Sequence, residues 1–344
     1  MEIGIVGATG YGGVELFRLL NGHPEVKTIK LYSSTQSGEF FQEIYSHVNN
    51  EEYVLQELAP EQMKEQLDII FLATPAGVSS ELTPQLTGGK GKVIDLSGDL
   101  RLKDREAYTN WYKNEAATEE IIEQSVYGLP EWNKEEIQSA EIIANPGCYP
   151  TATLIGLGPV LNKQLADPSR IIIDAKSGVS GAGKKASPVT HFANTQENFR
   201  IYKVNQHQHI PEIEQQLLRW DADAEPVTFS THLVPMTRGI MSTIYVDLKA
   251  SHSLDELVDL YQQTYQDEPF VRVRKAGEFP CTRDVYASNY CDIGLALDER
   301  TGRLTIVAVI DNLMKGAASQ AVQNMNLVLG LNETTGLTHI SLYP

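Results

Sequence analysis

An apolar strand that runs straight into a glycine-rich turn and then a helix leaves a chain few folds to adopt. Here the strand-like residues 3–6 lead directly into Gly7-Ala8-Thr9-Gly10-Tyr11-Gly12-Gly13. Beyond the turn, Val14, Leu16, Phe17, Leu19 and Leu20 recur at helical spacing. Glycines let the backbone bend tightly and approach a pyrophosphate. The helix that follows points its free N–H groups and the positive end of its dipole at the phosphates. The spacing Gly7-x-x-Gly10-x-x-Gly13, in its strand-turn-helix context, predicts a dinucleotide-binding unit.

The next strand, at residues 28–32, ends in Ser33-Ser34-Thr35. NAD binders carry a carboxylate about there, roughly 20 residues past the glycines, to hold the ribose hydroxyls. None is present to repel a 2′-phosphate, and the hydroxyls of Ser33 and Ser34 can bond one, so NADP is the expected cofactor. Two further strands follow, at 68–73 ending in Thr74-Pro75-Ala76-Gly77 and at 92–96 ending in Ser97-Gly98-Asp99. Strands alternating with helical stretches predict an α/β fold with a Rossmann-type, doubly wound parallel sheet. Ligands of such sheets lie at the carboxyl ends of the strands, which makes Thr74 and Arg101 cleft candidates.

Composition narrows the function. The 344 residues suffice for two domains. Lys plus Arg number 28 against 45 Asp plus Glu, a formal charge of −17, with no basic cluster to hold a nucleic acid. Three cysteines without a CxxC pair make no disulfide framework. No apolar run approaches 18 residues, so no membrane span is expected and the cytoplasm is the expected location. An anionic ligand on so acidic a chain needs local cations.

The chemistry is concentrated in the middle. Asn145-Pro146-Gly147-Cys148-Tyr149-Pro150-Thr151-Ala152 follows a strand and precedes an apolar helical stretch, with Pro150 suited to a first turn. Cys148 then sits at a helix N-terminus, where N–H groups and the dipole favour thiolate over thiol, and it is the candidate nucleophile. In Asn205-Gln206-His207-Gln208-His209-Ile210-Pro211-Glu212, His209 is the candidate acid/base and Glu212 its orienting partner. His207 is a structural or substrate-side partner; the His207-x-His209 pair lacks a third ligand of recognisable spacing, so no metal is expected. The small-residue loop beginning at Ser177, with Lys184 and Lys185 after it, can meet an anion. Arg238 and Arg101 are equal candidates for a bidentate grip on phosphate or carboxylate. Asn312, beyond a strand at 304–310, can meet a carboxamide such as nicotinamide.

These motifs occur in one order over nearly the whole chain, and the sequence resembles the N-acetyl-gamma-glutamyl-phosphate reductases of the aspartate-semialdehyde dehydrogenase superfamily. Asn-Pro-Gly-Cys-Tyr-Pro-Thr and His-x-His-x-Pro-Glu-Ile carry the resemblance most specifically. It implies NADPH-dependent reduction of N-acetyl-glutamyl 5-phosphate to the 5-semialdehyde through a Cys148 thioester, in arginine biosynthesis. It maps the family's nucleophile onto Cys148, its histidine and glutamate onto His209 and Glu212, and its cofactor loop onto Gly7, Thr9, Gly10, Tyr11, Gly12 and Gly13. Residues 1–147 with 315–344 are expected to form the NADP-binding domain, and 148–314 an α+β catalytic and oligomerisation domain of a dimer or tetramer. Ser177, His207, Arg101 and Arg238 are the expected substrate contacts. A rival reading, a Tyr-x-x-x-Lys reductase using Tyr245 and Lys249, requires a helix where residues 241–248 alternate like a strand. A second rival, an NADP-sensing protein, would need neither Cys148 nor His209.

Overall fold

β1 (Glu2–Val6) is buried on both faces, Ile3 and Ile5 on one and Gly4 and Val6 on the other. A strand without a solvated side belongs at the centre of a parallel sheet covered on both faces. β2 (Thr28–Tyr32) and β4 (Ile69–Leu72) flank it in parallel register, Ile3 opposite Ile29 and Ile69. With β3 (Leu55–Gln56), β5 (Lys92–Asp95), β6 (Ser125–Tyr127) and β7 (Ile142–Ala144) they form a seven-stranded parallel sheet of order β3-β2-β1-β4-β5-β7-β6. The chain runs outward from β1 to β3 and then resumes on the other side at β4. The carboxyl ends of β1 and β4 therefore meet at a topological switch point, where doubly wound sheets hold ligands. Val6, Tyr32, Leu67, Ile70, Leu72 and Val93 pack into one cluster of this unit.

The computed structural model describes residues 1–48 and 53–343. The chain folds as two units, one of Met1–Pro146 with Ala317–Thr338 and another of Gly147–Gly316 with the segment from His339. The sequence suggests that everything after 315 stays with the first unit. Instead the last residues leave it, because Leu342 N–H donates to Tyr286 O at 3.0 Å and Ser341 Oγ to Asp284 O at 2.7 Å, bonds that fasten the tail within the second unit. Among the described residues no helix is long and apolar enough to cross a membrane.

The second unit is built on a mixed sheet of order β12-β13-β14-β11-β8-β10-β9. Its strands are β8 (Ile172–Gly178), β9 (Arg200–Tyr202), β10 (Thr228–Val234), β11 (Ile240–Asp247), β12 (Val271–Val273), β13 (Cys291–Asp298) and β14 (Arg303–Ile310). In β11, Ile240, Ser242, Ile244 and Val246 are buried while Met241, Thr243, Tyr245 and Asp247 are half-exposed, the alternation expected from the sequence. Tyr245 therefore lies on a strand, and the Tyr-x-x-x-Lys helix does not exist.

Helix Cys148–Asn162 packs on β11, β14 and helix Ile210–Trp220, and is buried at every position from Tyr149 to Leu161. Burial of Leu154, Ile155, Leu157, Val160 and Leu161 contributes roughly 10 kcal/mol at about 2 kcal/mol per side chain. Pro159 lies inside this helix and cannot donate to the carbonyl of Ile155 four residues back. The hydroxyl of Tyr265 donates to that oxygen instead, and Tyr261 donates to Gly156 O at 2.7 Å. The result is a rigid helix whose first residue is Cys148.

Candidate active site

The first unit carries the glycine turn. Gly7 has φ +78°, and a Cβ on it would lie 2.4 Å from Ala73 O, at the carboxyl end of β4. A Cβ on Gly13 would lie 2.4 Å from Gly7 O, so the turn closes only with glycine at both ends. Gly10 caps helix Tyr11–Asn21 without a side-chain bond, which leaves first-turn N–H groups for an anion. Tyr11 lies exposed at the start of that helix, and Thr9 O accepts a hydrogen bond from Tyr45 at 2.9 Å. Ser33 is buried and accepts from Gln36 N–H at 3.2 Å, while Ser34 is exposed. Thr74 shares a hydroxyl bond with Ser79 at 2.9 Å. This cradle fits a dinucleotide phosphate, and the end of β2 carries no carboxylate.

Arg101, a cleft candidate, and Asp99 of the same unit are both tied into the protein. Arg101 is buried, and donates from Nε to Asn145 O at 2.7 Å and from Nη2 to Leu96 O at 2.9 Å. Its guanidinium thus joins the ends of β5 and β7. Asp99 accepts from Gly77 and Ser80 N–H and from the Tyr108 hydroxyl, capping helix Val78–Leu86 from a distance.

In the second unit Gly147 is the N-cap of the Cys148 helix, again without a side-chain cap. Cys148 is half-buried at the first helical position. Glu212 is fully buried in the first turn of helix Ile210–Trp220, and its Oε1 accepts the Gly147 N–H at 2.8 Å. The glutamate expected to serve His209 thus also anchors the turn that presents the cysteine. Against Cys148 lies Gly316, a residue that sequence reasoning missed. A Cβ there would stand 2.8 Å from Cys148 Cβ and 3.2 Å from its Cα. The signal available was a lone glycine at the entry to a helical stretch, which often marks close approach.

His209 is the N-cap of helix Ile210–Trp220, with Pro211 in its first turn. His209 N–H donates to His207 Nδ1 at 3.2 Å, so neutral His207 carries its proton on Nε2, which lies 3.5 Å from the Tyr202 hydroxyl. The His207 ring, 4 % exposed, is enclosed by Tyr149, Tyr202, Phe229 and His209 at centroid distances of 5.4, 5.7, 5.7 and 4.7 Å. Tyr202 donates to the Tyr149 hydroxyl at 3.2 Å, and Tyr149 to His232 O at 3.3 Å. Burial pushes the Tyr202 phenol up to about 12.

Burial, helped by the positive charge of Lys203, pushes the His207 imidazole down to about 3. The unfolded chain binds that proton near pH 6.5, so between about pH 6.5 and 3 the unfolded state holds more protons and stability rises with pH. The contribution is complete above pH 6.5 and is lost on acidification at about 1.4 kcal/mol per pH unit. Urea midpoints between pH 6.5 and 5 should therefore fall more steeply for the wild type than for His207→Phe; parallel lines would refute the buried neutral imidazole.

The loop after β8 and the loop after β10 are laced together. Gly178 N–H donates to Gly239 O at 2.9 Å, Val179 N–H to Met236 O at 2.9 Å and Ser180 N–H to Thr237 O at 3.1 Å. Ser177 is buried and donates to Gly178 O at 3.0 Å. Asn312 fastens the same two loops, accepting from Gly239 N–H at 2.7 Å and donating to Ser180 Oγ at 2.9 Å. Any carboxamide contact by Asn312 has to use its second amide hydrogen or the second lone pair of its Oδ1. Arg238 Nη1 lies 3.6 Å from Asp311 Oδ2. Asp311 is fully buried and accepts the N–H groups of Ala287, Leu313 and Met314; burial pushes its carboxyl up, against the pull of Arg238 and these donors.

Known proteins resemble both units. A family model described as semialdehyde dehydrogenase, NAD binding domain matches residues 2–140, and one described as semialdehyde dehydrogenase, dimerisation domain matches residues 148–312. The chain is 58 % identical, over the full length of both, to an N-acetyl-gamma-glutamyl-phosphate reductase of Geobacillus sp. (strain WCH70), and 54 % identical, again over both full lengths, to one of Bacillus mycoides (strain KBAB4). Among solved structures, aspartate semialdehyde dehydrogenase II from Vibrio cholerae has a TM-score of 0.73 at 20 % identity, covering 96 % of this chain and 98 % of that one. The Candida albicans aspartate semialdehyde dehydrogenase with NADP has a TM-score of 0.67 at 16 % identity, covering 95 % and 98 %. At that identity the likeness is one of fold.

Proposed function

The chain belongs to the N-acetyl-gamma-glutamyl-phosphate reductase family, and from that premise we propose that it reduces N-acetyl-glutamyl 5-phosphate to N-acetyl-glutamate 5-semialdehyde with NADPH, in arginine biosynthesis. The observation that carries the reading is the setting of Cys148. It is the first residue of a rigid fifteen-residue helix, its turn is held by buried Glu212, and His209 caps the helix packed alongside.

In this reading Gly7, Thr9, Gly10, Tyr11, Gly12 and Gly13 hold the cofactor pyrophosphate, with Ser33 and Ser34 at the 2′-phosphate and Thr74 beside the switch point. Cys148 Sγ attacks the acyl carbon as a thiolate; the C–S bond forms, the C–O bond to phosphate breaks, and inorganic phosphate leaves from a thioester. Arg238 and the loop from Ser177 receive the departing anion, and so answer how an acidic protein holds an acidic substrate. Arg101, whose Nε and Nη2 are engaged by carbonyls, keeps the sheet ends in place. When bound, NADPH supplies the hydride that lowers the thioester to the aldehyde oxidation level. His209 accepts the Cys148 proton as the thiolate forms, and serves the oxygen of the thiohemiacetal as it collapses to aldehyde and thiolate. First-turn N–H groups of the Cys148 helix stabilise negative charge on the reacting carbonyl oxygen. The half-exposed face of β11, with Met241, Thr243 and Tyr245, is the surface through which the second unit forms a homo-oligomer. As a biosynthetic reductase it works in the cytoplasm.

The test runs the reaction backwards. N-acetyl-glutamate semialdehyde, phosphate and NADP⁺ should yield reduced cofactor by absorbance, and omission of phosphate should stop it. Light scattering of the same preparation should give a multiple of the chain mass. A preference for aspartate semialdehyde would keep the chemistry and reject the substrate. Absence of turnover with either aldehyde, with tight NADP binding retained, would reject the enzyme.

A further inference from the structure

His207 was expected as a structural or substrate-side partner, and its ring is shut inside the protein with each of its nitrogens facing a protein atom. We propose that His207 is a positioning residue, which locks the helix turn bearing Cys148 and the helix cap bearing His209 into one alignment through its Nδ1 bond to His209 N–H and its packing on Tyr149. The inference deepens the reading above and rests on it for the roles of Cys148 and His209.

Geometry from four elements supports it. Tyr149 is the second residue of the Cys148 helix, so its ring moves with Cys148. His207 packs edge-on against that ring at 5.4 Å and against Phe229 of β10 at 5.7 Å. Tyr202 of β9 closes the box, its ring 5.7 Å from His207 and its hydroxyl bonded to that of Tyr149. On the other side, the N–H of an N-cap residue has no acceptor within its own helix. His207 Nδ1 supplies one, 3.2 Å from His209 N. The imidazole therefore touches both the Cys148 turn, through Tyr149, and the main chain of His209. A shift of about 1 Å between reacting groups can cost on the order of 100-fold in rate. Such a residue affects turnover without touching substrate.

Two variants separate this role from a substrate contact. His207→Phe fills the box but removes the acceptor. His207→Asn keeps an acceptor oxygen on the atom bonded to Cβ, close to where Nδ1 stands in histidine. Each is assayed for kcat and KM in the phosphate-dependent reaction, and for the rate at which iodoacetamide alkylates Cys148 without substrate. We expect His207→Phe to lower kcat about tenfold or more, with KM for aldehyde and phosphate within about twofold, and to slow alkylation. His207→Asn should recover most of both rates. A KM raised more than about tenfold at unchanged kcat would make His207 a substrate contact and overturn the proposal. So would wild-type alkylation rates in both variants, or equal losses in Phe and Asn. If the wild-type chain failed to turn over the N-acetylated aldehyde, the reaction proposed above would fall, while the alkylation rates would still decide the role of His207.

Discussion

Cys148→Ala is expected to lower phosphate-dependent turnover by on the order of 10⁴-fold or more, because the acyl group then has no sulfur to occupy between loss of phosphate and reduction. NADP binding should be unchanged, since the glycine turn belongs to the other unit. The remaining cysteines offer no substitute. Cys291 is buried on β13, and Cys281 is exposed, with its sulfur donating to Asp284 Oδ1 at 3.4 Å. Neither begins an α-helix, whereas Cys148 follows an N-cap glycine with no side chain to occupy the first-turn N–H groups. Initial rates and cofactor titration on one preparation make the measurement. Residual activity above about a tenth of wild type would mean that the nucleophile is another group.

Gly316→Ala should come next in size, with kcat down by about 100-fold and the protein still folded. Its new methyl carbon would stand 2.8 Å from Cys148 Cβ, 3.2 Å from Cys148 Cα and 3.2 Å from Ile310 Cδ1. The first two are rigid atoms at the head of a helix buried along its length, so relief comes only by displacing the sulfur or the Met314–Ala318 turn. A thermal midpoint within a few degrees of wild type, beside the kcat loss, would locate the effect at the nucleophile. Activity within about twofold would show that the contact yields easily and that Gly316 has no part in placing Cys148.

Local features of this protein were open to reading along the chain. β1 and the Gly7–Gly13 turn declare themselves because a strand buried on both faces must be apolar throughout, and because the close approaches at Gly7 and Gly13 leave no space for a Cβ. β11 does so because its one buried face imposes a period of two. Cys148 does so because Pro150 suits a helical first turn and the apolar run behind it is long. The short strands β3, β6, β9 and β12 escaped, since two or three residues are too few to establish a period, whereas the equally short β7 was marked by the turn that follows it.

Partners distant in sequence could not be read this way. Glu212 looked like the companion of His209 three residues away, and its Oε1 accepts the N–H of Gly147, 65 residues back. Asn312 looked suited to a ligand, and its amide joins Gly239 to Ser180. Arg101 looked free to hold phosphate, and two of its nitrogens are bonded to carbonyls at the ends of the parallel sheet. Along the chain one could read candidate residues and the local elements that bear them, because periodicity, turn chemistry and capping act over a few residues. Which donor meets which acceptor was decided only by the tertiary structure, because buried polar groups must find partners wherever packing brings them, and distance along the chain sets no limit on that.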